Sequence, residues 1–209
     1  MRTKTLLLSA AAMVAGLISA QAQSNVYSAN IVGYVTVTNA ANQYALYALP
    51  LDSGSNNLTG LFPNAANNSQ VLVWTGSGYQ GAQKSFGSWS TNLNLVPGQG
   101  FFVKFPANGT NTFVGSIAVP VGGSVTNNFA QNIYALVGSP IPYTDTLTGT
   151  NLNLQLANNS QILVWNGVGY QGSQKSFGSW STNLTIVPGE GFFVKSSTAT
   201  NWVQTLNLQ

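Results

Sequence analysis

The chain has 209 residues without cysteine or histidine, and charged residues make up only 4% of it. The absence of both residue types excludes disulfide bonds, the usual zinc ligands and the Ser-His-Asp and Cys-His catalytic groups. A hydrophobic share of 44% and an aromatic share of 11% indicate a folded chain rather than a disordered one.

The N-terminal segment has the parts of a secretory signal peptide. Arg2 and Lys4 precede an apolar run over residues 6–18, and the small-residue pattern Ala20-Gln21-Ala22 follows. The run is shorter than the roughly 20 residues that a membrane-spanning helix needs. We therefore predict a signal helix over residues 1–22 and a mature chain without a membrane span. The mature chain is expected to be secreted, extracellular or at the cell surface, with the periplasm as the alternative.

Cleavage of this segment changes the charge of the protein. Two of the six basic residues are lost, which leaves four lysines against Asp52, Asp145 and Glu190 and a net charge of +1. The pI of 9.3 therefore belongs partly to the leader, and we expect no nucleic-acid partner.

Short β-branched and aromatic runs bounded by Gly, Pro and Asn recur through the mature chain and predict strands. In chain order the predicted strands cover residues 31–38, 44–49, 70–74, 79–83, 101–105, 112–119, 133–137, 161–165, 170–174 and 192–195. A short helical turn is predicted at residues 57–62.

Two turns and one alternation follow from local residue chemistry. The Gly-containing loop after Trp74 favours a hairpin that places this residue opposite Tyr79. Gly98 and Gly189 each follow a proline and are expected at positive φ in equivalent turns. In the strand over residues 101–105, alternation separates Phe101, Val103 and Phe105 from Phe102 and Lys104, and one of the two faces is expected to be core.

An internal repeat dominates the sequence. Residues 67–104 align with residues 158–195 at a constant offset of 91, and 31 of the 38 pairs are identical. A looser match upstream pairs Tyr44-Ala45-Leu46 with Tyr134-Ala135-Leu136 at an offset of 90. Two copies of this length suit two small domains or one fused sandwich better than a solenoid.

The repeated motifs resemble a small β-rich module of secreted and cell-surface bacterial and archaeal proteins, with the pattern WNLISLP, VWxYxxGxW and LxPGKGYWV. The corresponding segments here are YALYALP (residues 44–50), VWTGSGY (73–79) and LVPGQGFFV (95–103), with their counterparts in the second copy. The chain departs from the pattern where Phe102 and Phe193 replace a tryptophan, and where Gln99 and Glu190 replace a lysine. The resemblance implies an accessory unit and no particular activity.

The predicted fold is thus all-β, with two tandem small β-sandwich or barrel-like modules after the signal helix. We expect an N-terminal strand segment at residues 23–42, the first module at 43–127 and the second at 128–209.

Three carboxylates remain as candidates for acid-base chemistry. Glycoside hydrolysis generally needs two carboxylates beside the scissile bond. Asp52 and Asp145 lie in loosely equivalent loops of different copies, and Glu190 aligns with Gln99, so a pair could form only across the copies. No Asp-rich loop offers calcium ligands. We predict that the protein is not an enzyme and has no catalytic residue, metal site or cofactor.

The repeated aromatic residues are the feature that invites a functional interpretation. Aromatic faces can stack on sugars or partner chains, but they bury so much area that a place in the core is the default. The candidate ligand-binding residues are Trp74, Tyr79, Trp89, Trp165, Tyr170 and Trp180. Phe86 and Phe177 belong to the same repeated set, and the neighbouring Lys84 and Lys175 are expected to be solvated.

These features predict a non-enzymatic secreted or cell-surface protein with a structural, adhesive or assembly role. The alternative is a carbohydrate-binding module that uses the repeated aromatics, so the expected partners are a polysaccharide or another copy of the chain. An outer-membrane β-barrel would also explain export and low charge, but the predicted strands are shorter than the about 9 to 11 residues of lipid-facing strands.

Overall fold

A computed structural model describes residues 32–120 and 122–206; the predicted signal peptide lies outside these residues. The described chain is all-β, as predicted, with 49% strand and 2% helix. No helix in this part of the chain combines the length and the apolar character that a membrane crossing requires.

Sixteen strands and one short helix make up the described regular structure. In chain order they are β1 (Val32–Asn39), β2 (Tyr44–Ala48), α1 (Leu58–Leu61), β3 (Gln70–Trp74), β4 (Tyr79–Ser85), β5 (Ser88–Trp89), β6 (Gly100–Lys104), β7 (Gly109–Ser116), β8 (Ser124–Phe129), β9 (Tyr134–Val137), β10 (Asp145–Thr146), β11 (Gln161–Trp165), β12 (Tyr170–Ser176), β13 (Ser179–Trp180), β14 (Thr185–Ile186), β15 (Phe192–Lys195) and β16 (Thr200–Thr205).

The strands form separate sheets, none of which is closed. One five-stranded antiparallel sheet has the order β2-β6-β3-β4-β5, and a second has the equivalent order β9-β15-β11-β12-β13. Two-stranded ribbons accompany them, since β1 pairs with β7 and β8 pairs with β16. A short pair, β10 with β14, completes the described strands. The two repeats therefore have the same strand order.

Each five-stranded sheet covers a hydrophobic core with one face. In the first copy Phe101 and Val103 of β6 meet Phe113 of the ribbon, together with Leu58 of α1. In the second copy Phe192 of β15 meets Phe129 and Trp202 of the ribbon, and the Trp202 indole donates a hydrogen bond to the Leu152 carbonyl at 2.6 Å. The ribbon and the five-stranded sheet of each copy thus enclose a hydrophobic core between them.

Several local predictions are confirmed. The helical turn is α1, whose N-cap Asn57 accepts a hydrogen bond from the Gly60 amide. Gly98 and Gly189 have φ values of +83° and +81°. Trp74 lies opposite Tyr79 in the β3–β4 hairpin.

The prediction that one face of β6 is core is confirmed, and the structure adds that the opposite face is covered as well. Phe101, Val103 and Phe105 belong to the core of the first copy, but Phe102 on the opposite face is also buried, with 6% of its surface exposed. Phe102 belongs to a third cluster that joins the two copies. Both faces of this strand are covered because the second copy packs on the outer one.

Candidate functional site

The third hydrophobic cluster contains two of the six predicted ligand-binding aromatics, and two more contact it. Its buried residues are Leu46, Phe102, Leu136 and Phe193, and its partly buried residues include Tyr44, Leu72, Trp74, Tyr134, Leu163 and Trp165. The rings of Tyr79 and Tyr170 contact this cluster. We call the eight rings the aromatic seam: Tyr44, Trp74, Tyr79 and Phe102, with Tyr134, Trp165, Tyr170 and Phe193.

The hairpins position the first members of the seam. Trp74 ends β3 and Tyr79 begins β4, so the cross-strand register sets their rings edge to face at 5.0 Å. Trp165 and Tyr170 repeat this arrangement at the same centroid distance. Such pairs favour closure of the hairpin and fix its register.

The contacts between the copies are reciprocal. The Trp74 indole donates a hydrogen bond to the Tyr134 carbonyl at 2.8 Å, and the Trp165 indole donates to the Tyr44 carbonyl at the same distance. Trp74 contacts Phe193 with ring centroids 5.8 Å apart, and Phe102 contacts Trp165 at 5.7 Å. Equivalent residues exchange equivalent contacts, which is the signature of a twofold interface.

Backbone hydrogen bonds reinforce this contact from both sides. The Ala48 amide donates to the Gly189 carbonyl at 2.9 Å, and the Gly138 amide donates to the Gly98 carbonyl at 2.9 Å. Tyr47 forms a bridge with Glu190. A Cβ on Gly138 would overlap the Cβ of Ala48, so glycine is required for this approach.

Tyr79 and Tyr170 lie at the open side of the seam. Each has 46% of its surface exposed. Burial raises the pKa of Tyr79, and a hydrogen bond with the Tyr170 side chain lowers it. Burial, followed by the charge and the hydrogen bond of Tyr79, raises the pKa of Tyr170 to about 12. Both hydroxyls therefore stay protonated at neutral pH and meet where the two copies join.

Trp89 and Trp180 occupy a different place from the other four candidate residues. Each packs partly buried against the core of its own copy. The amines of Lys84 and Lys175 lie 5.9 Å from the ring centroids of Trp89 and Trp180. The structure thus divides the six predicted residues between the seam and the two separate cores.

The expected solvation of Lys84 is wrong. Only 8% of its surface is exposed, and its amine donates a hydrogen bond to the Pro63 carbonyl at 3.3 Å. The aliphatic part of the Lys84 side chain is covered, while its charged amine lies over the Trp89 ring and donates to the Pro63 carbonyl. Lys175 is half-buried over Trp180.

The three carboxylates accept hydrogen bonds from nearby backbone amides or side chains. The Asp145 carboxylate accepts bonds from the amides of Thr146, Asn151 and Leu152. Partial burial raises its pKa, but these hydrogen bonds outweigh that effect and the pKa is lowered. The Asp52 carboxylate accepts bonds from the Gly54 amide and the Asn56 side chain.

Glu190 has the same local role as its counterpart Gln99. Each accepts a hydrogen bond at 3.0 Å from a valine amide three residues earlier. Burial raises the pKa of the Glu190 carboxyl, and the bond from the Val187 amide lowers it to a smaller extent. Across residues 32–120 and 122–206, no group of His, Cys, Asp or Glu is arranged to hold a metal ion.

Two repeated aromatics outside the predicted site are fully exposed. Phe86 and Phe177 have relative exposures of 101% and 102%, and each has φ of +48°. The sequence contained the signal for them, since Phe-Gly stands at the centre of a repeated short hairpin.

Comparison of the chain with family models, curated proteins and solved structures finds no match.

Proposed function

We propose that the chain is a non-enzymatic secreted or cell-surface protein in which two tandem β modules form one structural unit for adhesion or assembly. The reciprocal aromatic seam carries this proposal. Four of the repeated aromatic candidates contact the other copy or meet across the join, so the repeat identity supports cohesion of the modules. A unit held in this way presents a nearly uncharged surface.

Strand pairing supports module boundaries that differ from residues 43–127 and 128–209. Because β1 pairs with β7 and β8 pairs with β16, each ribbon brings together the first and last strands of a repeat. We place the modules at residues 32–116 and 124–206. The predicted signal peptide at residues 1–22 supports export to the surface or the medium.

The roles of the carboxylates also support a non-enzymatic protein. Asp52 and Asp145 hold loop backbone, and Glu190 holds a turn as Gln99 does in the other copy. A catalytic acid-base pair would instead direct two carboxylates toward one substrate bond.

Fractionation of the native cells tests the proposal. The mature protein is expected in the medium or in a surface fraction that external protease can reach, and recovery in the cytoplasm would contradict it. Purified protein is expected to leave glycan, ester and peptide substrates unchanged. Turnover that disappears in Asp52→Asn, Asp145→Asn or Glu190→Gln would show an enzyme.

A second candidate function is carbohydrate binding at the seam. The exposure of Tyr79 and Tyr170, each at 46%, favours it because two adjacent phenol rings remain open to a sugar. If the seam is the binding site, Tyr79→Ala and Tyr170→Ala, made separately and together, reduce retention on polysaccharide while the melting temperature changes little. If these variants lose thermal stability but keep their retention on polysaccharide, both rings serve to hold the modules together.

A further inference from the structure

Two hairpin tips project a phenylalanine into solvent. Ser85 pairs with Ser88 across a two-residue turn made of Phe86 and Gly87. The φ values of +48° and +82° at the two central positions are those of a type I′ turn. Phe177 and Gly178 repeat these values in the second copy.

Neither the turn nor the core explains a phenylalanine at this position. A type I′ turn favours Asn, Asp or Gly at its first central residue, since a bulky side chain is disfavoured at positive φ. The full exposure of Phe86 and Phe177 also leaves them outside both module cores. Strained conformations of this kind concentrate at functional sites.

A neighbouring loop holds each tip in place. The Asn67 side-chain oxygen accepts a hydrogen bond from the Gly87 amide at 2.9 Å, and Asn158 accepts one from Gly178 at 2.8 Å. The turn backbone is thereby anchored beside the phenylalanine. Each ring is presented on an ordered support, which lowers the entropy lost when a ligand binds.

The surroundings of the ring indicate the chemistry of the ligand. Ser85, Ser88 and Asn67 are exposed around the tip and offer hydroxyl and amide groups. The nearest charge along the strand is Lys84, whose amine is engaged by Trp89 and the Pro63 carbonyl. A ring face with a neutral hydrogen-bonding rim suits the CH face and the hydroxyls of an uncharged sugar.

A lipid surface fits these tips less well. Interfacial membrane binding scales with buried apolar area and with attraction between basic groups and anionic lipid. Each tip offers one ring between serine and glycine. The nearest lysines, buried Lys84 and half-buried Lys175, each place the amine over a tryptophan ring.

We propose that Phe86 and Phe177 are the anchor residues of two equivalent binding sites for a neutral polysaccharide. The proposal rests on the adhesive role above and places the contact at the hairpin tips instead of the seam. Two sites on one chain raise the apparent affinity for a polymer through effective concentration. Loss of one site should therefore weaken binding by about tenfold or more, and loss of both should abolish it.

The test uses Phe86→Asn, Phe177→Asn and the double variant of the mature chain. Asparagine suits the positive-φ turn position, so the melting temperature is expected to stay unchanged or rise. Binding is measured as depletion of protein by insoluble cellulose, mannan and starch. Phe86→Tyr and Phe177→Tyr are the matched controls, because they keep the ring and are expected to retain binding.

Three results would overturn the proposal. The parent protein could bind none of the three polysaccharides, the double Asn variant could bind as the parent does, or the parent could bind only phosphatidylcholine vesicles. Binding that survives in the double Asn variant but is lost on Tyr79→Ala with Tyr170→Ala would place the site at the seam. That outcome leaves the adhesive role intact, whereas the cell fractionation tests that role independently.

Discussion

Replacing Phe193 with alanine tests the packing between the two copies. Only 5% of the Phe193 surface is exposed. Its ring lies 5.8 to 6.4 Å from four other rings, those of Trp74, Tyr170, Tyr134 and Phe102. Removal of such a buried ring loses its transfer free energy and leaves a cavity, so we expect the free energy of unfolding to fall by about 3–5 kcal/mol. Urea unfolding of the mature chain measures this change.

Phe102→Ala is the matched variant because Phe102 contacts the four equivalent rings at 5.7 to 6.4 Å. The two variants are expected to cost the same within about 1 kcal/mol. Since the rings touch each other, the double variant should depart from additivity by about 0.5–3 kcal/mol. Val168→Ala is the exposed control, expected within about 0.5 kcal/mol of the parent. A cost for Phe193→Ala no greater than that of the control would refute the packing, and Phe193→Leu extends the test if the alanine variant does not fold.

The remaining predictions concern turns and carboxylates. Gly98→Val and Gly189→Val should each lower stability by more than about 1 kcal/mol because both glycines have positive φ, and unchanged melting of both would argue against the turns. Burial raises the pKa of Glu190, so its contribution to stability is present at low pH and is lost as the pH rises through that raised pKa. Glu190→Gln should therefore stabilise the protein at neutral pH, which urea unfolding at neutral and acid pH measures. A variant with a lower free energy of unfolding than the parent at neutral pH would contradict this. The Asp145 pKa is lowered, so its contribution is present above the unfolded-state pKa and is lost as the pH falls through the lowered one. Asp145→Asn should destabilise at neutral pH and much less in acid, and an equal cost at both pH values would count against the proposed hydrogen bonds.

Local chemistry was sufficient to predict the hairpins and turns. The Trp74–Tyr79 pairing and the positive φ of Gly98 depend on a few adjacent residues, and both are confirmed. The helical turn at residues 57–62 also follows from nearby residues, with Asn57 as its cap. Such features need no knowledge of the distant chain.

Features that depend on the other copy could not be predicted from the pattern of one strand. Alternation correctly separated Phe101 from Phe102, but it could not show that a second copy covers the outer face. β8 and β16 were not predicted because polar residues, including strand-disfavouring asparagines, leave each with only two apolar side chains, and their pairing with each other supplies their order. Lys84 was expected in solvent because its ring and carbonyl partners lie on other segments.

An engineered disulfide between the copies tests their packing across the aromatic seam most directly, because the natural chain contains no cysteine. Gln99 and Val137 form an antiparallel bridge across the seam. Bridged residues have Cα atoms about 4.5–5.5 Å apart, within the range that a disulfide spans. The Gln99→Cys/Val137→Cys variant is predicted to oxidise within the monomer and to lose the mass of two hydrogens, while each single-cysteine variant keeps a free thiol. Thiols that stay free in the double variant, or disulfides that form only between chains, would contradict the seam and the structural role proposed from it.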